Sequence, residues 1–212
     1  MRGAFITVEG TEGVGKSSSL AVVQATLAAA GLRTVTTREP GGTALGEQVR
    51  EWILHGEHGA LSAHVEALLM FAARAQHLDE LIGPALGRGE WVLCDRFSDA
   101  TIAYQGGGRG ANRKLLEHLI EGVQGSIAPD LTLLLDAPVD VGLARINDRA
   151  HDHFEREGRA FFERVRACYL EIAADEPQRV KVIDASKTPE IVHAQITREV
   201  TAFIESYRSR HG

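Results

Sequence analysis

The sequence predicts an α/β fold, with a five-stranded parallel sheet flanked by helices. Short apolar runs rich in β-branched residues alternate with longer segments of helical period. Such alternation is typical of a parallel sheet with helices on both faces. A glycine-rich turn follows the first apolar run, and three later runs end at an aspartate: Asp95, Asp136 and Asp184.

Five short segments are predicted to be strands. The first, residues 4–9 (AFITVE), is apolar without alternation, as expected for a strand that is covered on both faces. The other four runs are equally short and predict strands at 34–37, 91–94, 131–135 and 180–183.

The segments between these predicted strands have the periodicity of helices. In residues 16–30, Leu20, Val23 and Leu27 share one stripe before Gly31, a residue suited to a helix end. The last helix is predicted to start at Pro189, because proline is favoured at the first helical position. Further helices are predicted at 46–54, 62–86 (one helix, or two interrupted near Gly83 and Pro84), 114–123, from 139 to 146, and 159–173.

Composition argues against several classes of protein. The chain has 212 residues, 44% of them hydrophobic and 25% charged, which favours one globular domain. No apolar run approaches the ~18–20 residues that span a bilayer, and Glu9 interrupts any secretion signal. The net charge of −6 argues against a nucleic-acid partner. Cys94 and Cys168 are far apart, which argues against a disulfide or zinc site, and we expect a cytoplasmic protein.

Residues 10–17 carry the most specific pattern. They read GTEGVGKS, which is G-x-x-x-x-G-K-(S/T) placed between a predicted strand and a predicted helix. In this motif backbone N–H groups cradle phosphates, Lys16 reaches the β- and γ-phosphates, and the Ser17 hydroxyl ligates Mg²⁺. The complete motif disfavours a turn that binds nothing. Glu12 is compatible with bound phosphates only if a cation, a sugar hydroxyl or an arginine faces it.

Arginines near the strand ends favour a small-molecule kinase among the P-loop proteins. The N-K-x-D guanine motif of GTPases is absent, and Arg96 follows Asp95 at the edge where α/β sheets bind ligands. Arg74, within the apolar MFAARAQ, needs a partner if it is buried. A surface position remains open for Arg74 and for Arg50.

Any of the three aspartates at the strand ends could bind the Mg²⁺ ion. Asp95, Asp136 and Asp184 each end an apolar run, as the Mg²⁺-binding aspartate of a P-loop protein does. We favour Asp95, because an arginine follows it directly, and interpret the other two as turn or cap residues.

Six blocks together resemble the thymidylate kinase family of nucleoside monophosphate kinases. They are GTEGVGKSS (10–18), REPGGT (38–43), GEQVR (46–50), LLMFAARAQHL (68–78), CDRFSDATIAYQGGGRG (94–110) and FFERVRACYLEIA (161–173). The resemblance implies a single P-loop kinase domain over residues 1–212, with a short lid near 147–158. It also implies phosphorylation of dTMP by ATP with Mg²⁺, by an enzyme that is usually a homodimer.

The resemblance assigns roles to individual residues. The ATP-binding set is implied to be Gly10, Thr11, Glu12, Gly13, Val14, Gly15, Lys16, Ser17, Ser18, Arg145 and, beside adenine, Ala185. For dTMP, the phosphate would be held by Arg50 and Arg96, with Glu39 near the sugar and the metal. Tyr104 would pack on the deoxyribose, Arg74, Thr101 and Gln105 would read the base, and Phe71 or Met70 would stack on it.

The lid is implied to supply catalytic charge. In one class of the family the P-loop carries an arginine, and the corresponding position here is not basic. Arg145 and Arg149 are the lid candidates, with Arg149 favoured and Arg156 in reserve. The family pattern Asp-Arg-hydrophobic-Glu is DHFE at 152–155 here, so that arginine is replaced by His153. The implied catalytic set is therefore Lys16, Arg96, Arg149 and Glu12.

Two other functions stay open at this point. One is a P-loop kinase that acts on a different small acceptor. The other is a regulator that binds nucleotide without catalysis, which would bind ATP but would not release ADP in response to an acceptor.

Overall fold

Five parallel strands form the centre of the computed structural model, which describes residues 2–55, 61–146 and 157–211. The strands follow the order β2-β3-β1-β4-β5 across the sheet. Their bounds are β1 (Phe5–Glu9), β2 (Thr34–Arg38), β3 (Trp91–Asp95), β4 (Leu131–Asp136) and β5 (Val180–Asp184). The predicted α/β class and all five predicted strands are therefore confirmed, with ends that differ by one residue at most.

Helices connect the strands and cover the sheet. Their bounds are α1 (Lys16–Ala29), α2 (Ala44–His55), α3 (Ala63–His77), α4 (Gly83–Gly87), α5 (Ser98–Thr101), α6 (Arg113–Gln124), α7 (Val139–Ile146), α8 (Arg159–Asp175) and α9 (Pro189–His211). In the part of the chain that the structure describes, no helix has both the length and the apolar character to cross a membrane.

Apolar side chains fill both faces of the sheet. Every residue of β1 is buried. Ile6 and Val8 belong to a core cluster that includes side chains of α1 and α9, whereas Phe5 belongs to a cluster with Leu78 and Phe97. Successive strand residues point to opposite faces, so this division places helices on both sides of the sheet. The register pairs Val8 with Asp95, which brings the carboxyl ends of β1 and β3 together.

The segment predicted as a long or interrupted helix at 62–86 contains a π-helical turn. Ser62 caps α3 by accepting a hydrogen bond from the backbone of Val65. A π-helical turn over Leu78–Ile82 then leads directly into α4, whose second residue is Pro84.

Residues 98–108, for which no element was predicted from the sequence, form α5 and a π-helical turn over Ile102–Gly108. The glycines in this turn allow a close approach to α8. A Cβ atom on Gly107 would lie 2.7 Å from Cβ of Cys168, and one on Gly108 would lie 2.5 Å from Cε2 of Phe161. Close packing, rather than a flexible loop, therefore explains this glycine run and fixes the position of Tyr104 and Gln105.

Candidate active site

A cavity of about 510 Å³ opens at the carboxyl ends of the central strands. Its walls come from residues that follow β1, β2 and β3, and from α2, α3 and the 102–108 turn. They include Lys16, Glu39, Arg50, Asp95 and Gln105. Ligands of open α/β sheets bind at this edge, so the position agrees with a nucleotide site.

P-loop residues line the part of the cavity where the motif predicts the ATP phosphates, here called the donor end. Gly13 has φ = 71°, and a Cβ atom there would lie 2.1 Å from the carbonyl oxygen of Gly142, so the position requires glycine. Lys16 begins α1, and its ammonium donates hydrogen bonds to the carbonyls of Gly10 (3.1 Å) and Thr11 (2.7 Å). Burial, reinforced by the positive charge of Arg96, lowers the pKa of Lys16 to about 8.

Glu12 faces an arginine, as the motif required. Its carboxylate accepts a hydrogen bond from Nη2 of Arg96 at 2.9 Å and is bonded by the Tyr104 hydroxyl at 2.6 and 2.8 Å. The Arg96 guanidinium also lies 4.7 Å from the centroid of the Tyr104 ring. The arginine compensates the negative charge beside the phosphate loop, so among the three kinds of partner considered for Glu12 the structure shows an arginine.

Arg96 has a left-handed backbone conformation with φ = 69°, the one positive φ among the described non-glycine residues. Such a conformation costs on the order of 1–3 kcal/mol and persists where neighbouring contacts fix it. The N–H of Arg96 donates to the carbonyl of Val8 at 3.0 Å, and the N–H of Phe97 donates to Oε1 of Glu9 at 2.7 Å. These two bonds hold the turn that directs Arg96 into the cavity.

Glu9, which accepts the hydrogen bond from Phe97, is buried, and its carboxyl group stabilises this turn. Its other oxygen, Oε2, accepts a hydrogen bond from the Tyr169 hydroxyl at 2.7 Å. Burial and the nearby Asp99 raise the pKa of Glu9 from 4.5 to about 8. The folded protein therefore binds this proton more tightly than the unfolded chain does.

We expect the Glu9 carboxyl group to make folding stability depend on pH. Between about 4.5 and 8 the unfolded chain loses the proton that the folded protein keeps, so the free energy of unfolding falls as the pH rises. Glu9→Gln cannot ionise and should flatten this slope. Urea denaturation between pH 5 and 8 tests it, with the exposed Glu117→Gln as control. Parallel pH profiles for wild type and Glu9→Gln would contradict the expectation.

Arg74 is fully buried and has internal partners. Its Nε donates to Oε2 of Glu39 at 2.8 Å, and its Nη2 donates to the Thr101 hydroxyl at 2.9 Å. The other Glu39 oxygen bonds Nδ1 of His77 at 3.0 Å. The surface interpretation of Arg74 is therefore wrong, and Glu39 is the partner that its burial demands. Nη1 of Arg74 is buried and has no hydrogen-bond partner among the described residues.

Arg50, Met70, Tyr104 and Gln105 line the part of the cavity that the family resemblance assigns to the acceptor, here called the acceptor end. Arg50 donates to the carbonyl of Pro40 at 3.2 Å and faces the cavity, so a purely surface position for it is also wrong. Phe71 is 2% exposed and packs with Ala67, Ala111 and Leu116, off the cavity wall. Its neighbour Met70 lines the cavity instead, since one residue along a helix turns the side chain by about 100°.

The three strand-terminal aspartates have different surroundings. Asp136 forms two hydrogen bonds with Arg166, at 2.7 and 2.9 Å. Asp184 accepts a hydrogen bond from the backbone of Ser186 in the turn after β5. Asp95 lines the cavity, and its buried Oδ1 has no hydrogen-bond partner among the described residues. Asp95 is thus the aspartate that is placed to serve a ligand.

Comparison with known proteins places this geometry in a family. The family model described as thymidylate kinase matches residues 8–196. The chain belongs to the thymidylate kinase family. The thymidylate kinase of Pseudomonas syringae pv. syringae is 52% identical over 209 residues, which cover 98% of this chain and 100% of that protein. That of Alcanivorax borkumensis is 52% identical over 201 residues, covering 94% of this chain and 97% of that protein.

A solved structure supports the same thymidylate kinase assignment. The crystal structure of thymidylate kinase from Ehrlichia chaffeensis matches with a TM-score of 0.75 and 32% sequence identity, and it covers 95% of this chain and 99% of that chain. The family resemblance inferred from the six sequence blocks is therefore confirmed. The family match favours this assignment over a kinase of a different small acceptor and over a nucleotide-binding regulator.

The thymidylate kinase fold brings most of the predicted site residues to one cavity. Arg145 lies at its donor end and donates hydrogen bonds to the carbonyls of Gly13 (3.3 Å) and Ala185 (3.1 Å). Seven of the predicted site residues that the structure describes are not among those that line the cavity: Gly10, Thr11, Val14, Phe71, Arg74, Thr101 and Ala185. Arg74 and Thr101 are hydrogen-bonded to each other, and Arg74 also bonds Glu39, which does line the cavity. The lid predictions Arg149 and Arg156 lie outside the described residues.

Three residues that support the site, Glu9, Glu66 and Tyr169, were not predicted from the sequence. Glu9 gave one signal, since it is the polar end of an otherwise apolar strand. Glu66 and Tyr169 lie on helices whose periodicity gives no reason to single them out, and their partners are distant in sequence.

Proposed function

We propose that this member of the thymidylate kinase family transfers the terminal phosphoryl group of ATP to dTMP within the cavity described above. The observation that carries the proposal is that two polar atoms, Nη1 of Arg74 and Oε1 of Gln105, are left unpaired in the part of the chain that the structure describes. Both atoms are buried without a hydrogen-bond partner among the described residues. Gln105 lines the cavity, and Arg74 is hydrogen-bonded to Glu39, which also lines it. Buried polar atoms are nearly always paired, so this donor and acceptor fit a polar base edge.

Positioning and charge neutralisation supply the catalysis. To catalyse phosphoryl transfer, the protein must align donor and acceptor and stabilise the charge on the transferred group. Lys16 faces the donor phosphates, and because burial lowers its pKa to about 8, a bound polyphosphate strengthens its charged form. Arg50 and Arg96 hold the acceptor phosphate, and Tyr104 packs against the deoxyribose.

Magnesium fits the donor side of the site. Asp95, with its unpartnered Oδ1, and the Ser17 hydroxyl both line the cavity. In the described part of the chain there is no group of three or more His, Cys, Asp or Glu side chains that could hold a metal. Mg²⁺ in phosphoryl-transfer sites is held by one or two carboxylates together with substrate phosphates, which agrees with this donor set. When bound, the ion would neutralise charge on the phosphates.

Arg149→Ala tests the proposed lid. We place Arg149 on the transferred phosphoryl group, so the substitution should lower kcat roughly 10²-fold or more while it leaves the KM for dTMP within about twofold. Steady-state kinetics with saturating ATP measure both. The same substitution at Arg156 is the matched control and should have a smaller effect. A large rise in KM for dTMP would assign Arg149 to the acceptor and overturn its lid role.

We propose that two copies meet through α2 and α3. Each helix carries an exposed stripe at i, i+3, i+7 spacing, 45–48–52 on α2 and 65–68–72 on α3. The exposed apolar side chains include Trp52 (43% exposed) and Leu68 (52% exposed). An apolar surface of this kind is typical of a protein interface.

Leu68→Glu should convert a dimer to a monomer, because it buries a charge in the apolar contact. Sedimentation velocity of wild type and variant measures the change. Ile191→Glu, at an equally exposed apolar position on α9 (54% exposed), should leave the wild-type mass unchanged. A monomeric wild type, or a dimeric Leu68→Glu, would refute this interface.

The cellular location is also a proposal. ATP and nucleotide precursors are cytoplasmic metabolites, and Cys94 and Cys168 are both free thiols, which fits a reducing compartment. We therefore propose that the protein acts in the cytoplasm as one P-loop kinase domain with its lid at 147–158.

A panel of acceptors tests the proposed activity. Coupled measurement of ADP release with ATP, Mg²⁺ and one of dTMP, dUMP, dCMP, dGMP or shikimate should show the highest kcat/KM with dTMP. Release of ADP that depends on another acceptor, or that needs no acceptor, would contradict the proposal.

A further inference from the structure

Glu66 is a buried carboxylate next to the acceptor end of the cavity. It lies on α3 and is 1% exposed. Its Oε2 accepts a hydrogen bond from Nε2 of Gln105 at 3.3 Å, and its Oε1 pairs with Nη2 of Arg109 at 3.4 Å. Arg109 in turn pairs with Glu157 at 2.8 Å. None of these contacts belongs to the phosphate-binding machinery.

The charge of Glu66 decides which way the Gln105 amide faces. A carboxylate paired with a guanidinium can only accept hydrogen bonds, whereas an amide can present either its NH₂ group or its oxygen. The NH₂ group of Gln105 must therefore face Glu66. Its oxygen, Oε1, is then left without a partner on a side chain that is 2% exposed and lines the cavity.

The fixed amide gives the site a directional pattern. Nη1 of Arg74 offers a donor and Oε1 of Gln105 offers an acceptor. Thymine and uracil present the complementary pair, a carbonyl oxygen O4 next to a protonated N3. Cytosine presents the reverse, an amino group next to an unprotonated N3. With the amide turned round, its NH₂ group would match the unprotonated N3 of cytosine.

We propose that Glu66 is a specificity-determining residue that holds the amide of Gln105 in the orientation that selects a pyrimidine protonated at N3. It acts through Gln105 and is a positioning residue rather than a catalytic one. The inference rests on the proposed function, since it assumes that the base of dTMP lies between Arg74 and Gln105.

Glu66→Gln tests the proposal, because a glutamine of nearly the same shape can donate as well as accept and releases the amide of Gln105. We expect the ratio of kcat/KM for dTMP to that for dCMP to fall about tenfold or more, as for loss of one buried hydrogen bond and exposure of its partner. The ratio for dTMP to dUMP should stay within about twofold, because those acceptors differ only in a methyl group that the amide does not read. A general loosening of the pocket would change both ratios.

Two further variants keep the test decisive. Gln105→Ala removes the reading amide and should also lower the dTMP to dCMP ratio without changing the dTMP to dUMP ratio, even if Glu66→Gln does not fold. Glu117→Gln, at an exposed glutamate on α6 that pairs with Arg113, should leave both ratios unchanged.

The outcomes separate the two proposals. Loss of dTMP over dCMP preference in Glu66→Gln, with the dUMP ratio preserved, supports the role of Glu66, and the same loss in Gln105→Ala supports its premise that the amide reads the base. An unchanged dTMP to dCMP ratio in either variant overturns it while the kinase activity stands. A wild-type protein that does not phosphorylate dTMP overturns the proposed function itself.

Discussion

Lys16→Ala should lower kcat for dTMP phosphorylation roughly 10²–10³-fold, which is the range for removing one preorganised group from a developing anion. The ammonium of Lys16 is held by the Gly10 and Thr11 carbonyls at the mouth of the P-loop, directly beside the cavity. The substitution deletes the P-loop cation at the donor phosphates. Stopped and continuous assays of ADP release at saturating dTMP measure the loss.

Folding should be affected much less than turnover by Lys16→Ala. Burial lowers the pKa of Lys16 to about 8, so its charged form is costly in the folded protein, and its hydrogen bonds go to the backbone carbonyls of Gly10 and Thr11 rather than to a carboxylate. We expect the melting temperature to stay within a few degrees of wild type. Lys114→Ala, at an exposed position on α6, is the matched control for a lost lysine. Near-normal turnover in Lys16→Ala would rule out its phosphate role.

Arg96→Ala should raise the KM for dTMP and lower kcat, with a combined loss in kcat/KM of roughly 10²-fold or more. The guanidinium that we assign to the acceptor phosphate also neutralises Glu12, 2.9 Å away. Without it, a carboxylate that is 12% exposed faces the phosphates uncompensated. Steady-state kinetics with dTMP as the varied substrate measure both constants.

The double variant Arg96→Ala, Glu12→Gln separates the two parts of this effect. Removal of the charge on Glu12 should recover part of the lost kcat/KM, because the repulsion disappears while the phosphate contact stays absent. If the double variant is no better than Arg96→Ala alone, repulsion by Glu12 does not contribute. If Arg96→Ala leaves the KM for dTMP unchanged, Arg96 does not hold the acceptor.

The parts of the fold that follow a local rule could be predicted from the sequence. The strands β1, β3 and β4 are buried on both faces, so their apolar runs were unambiguous. The turn over Ile102–Gly108 was not predicted, because its three glycines are poor helix formers in isolation. Only the packing against α8, which lies about 60 residues further along the chain, explains them.

Some residues of the site could also be predicted from the sequence, and others could not. The eight residues of the P-loop are contiguous, so the sequence motif alone predicts their phosphate-binding role. Asp95 was favoured among the three aspartates because Arg96 follows it in the sequence. The structure gives a different reason, since Asp136 and Asp184 already have hydrogen-bond partners within the protein. Glu66 could not be predicted, because its partners Gln105 and Arg109 come from a segment about 40 residues away.

The central claim is that one cavity holds ATP phosphates on the P-loop and dTMP beside Arg74, Arg96 and Gln105. A crystal structure of the protein with dTMP, Mg²⁺ and a non-hydrolysable ATP analogue tests it most directly. We predict that the base lies within hydrogen-bond distance of Nη1 of Arg74 and Oε1 of Gln105, with its phosphate on Arg96. A dTMP molecule bound elsewhere, with those atoms still unpartnered, would contradict the claim.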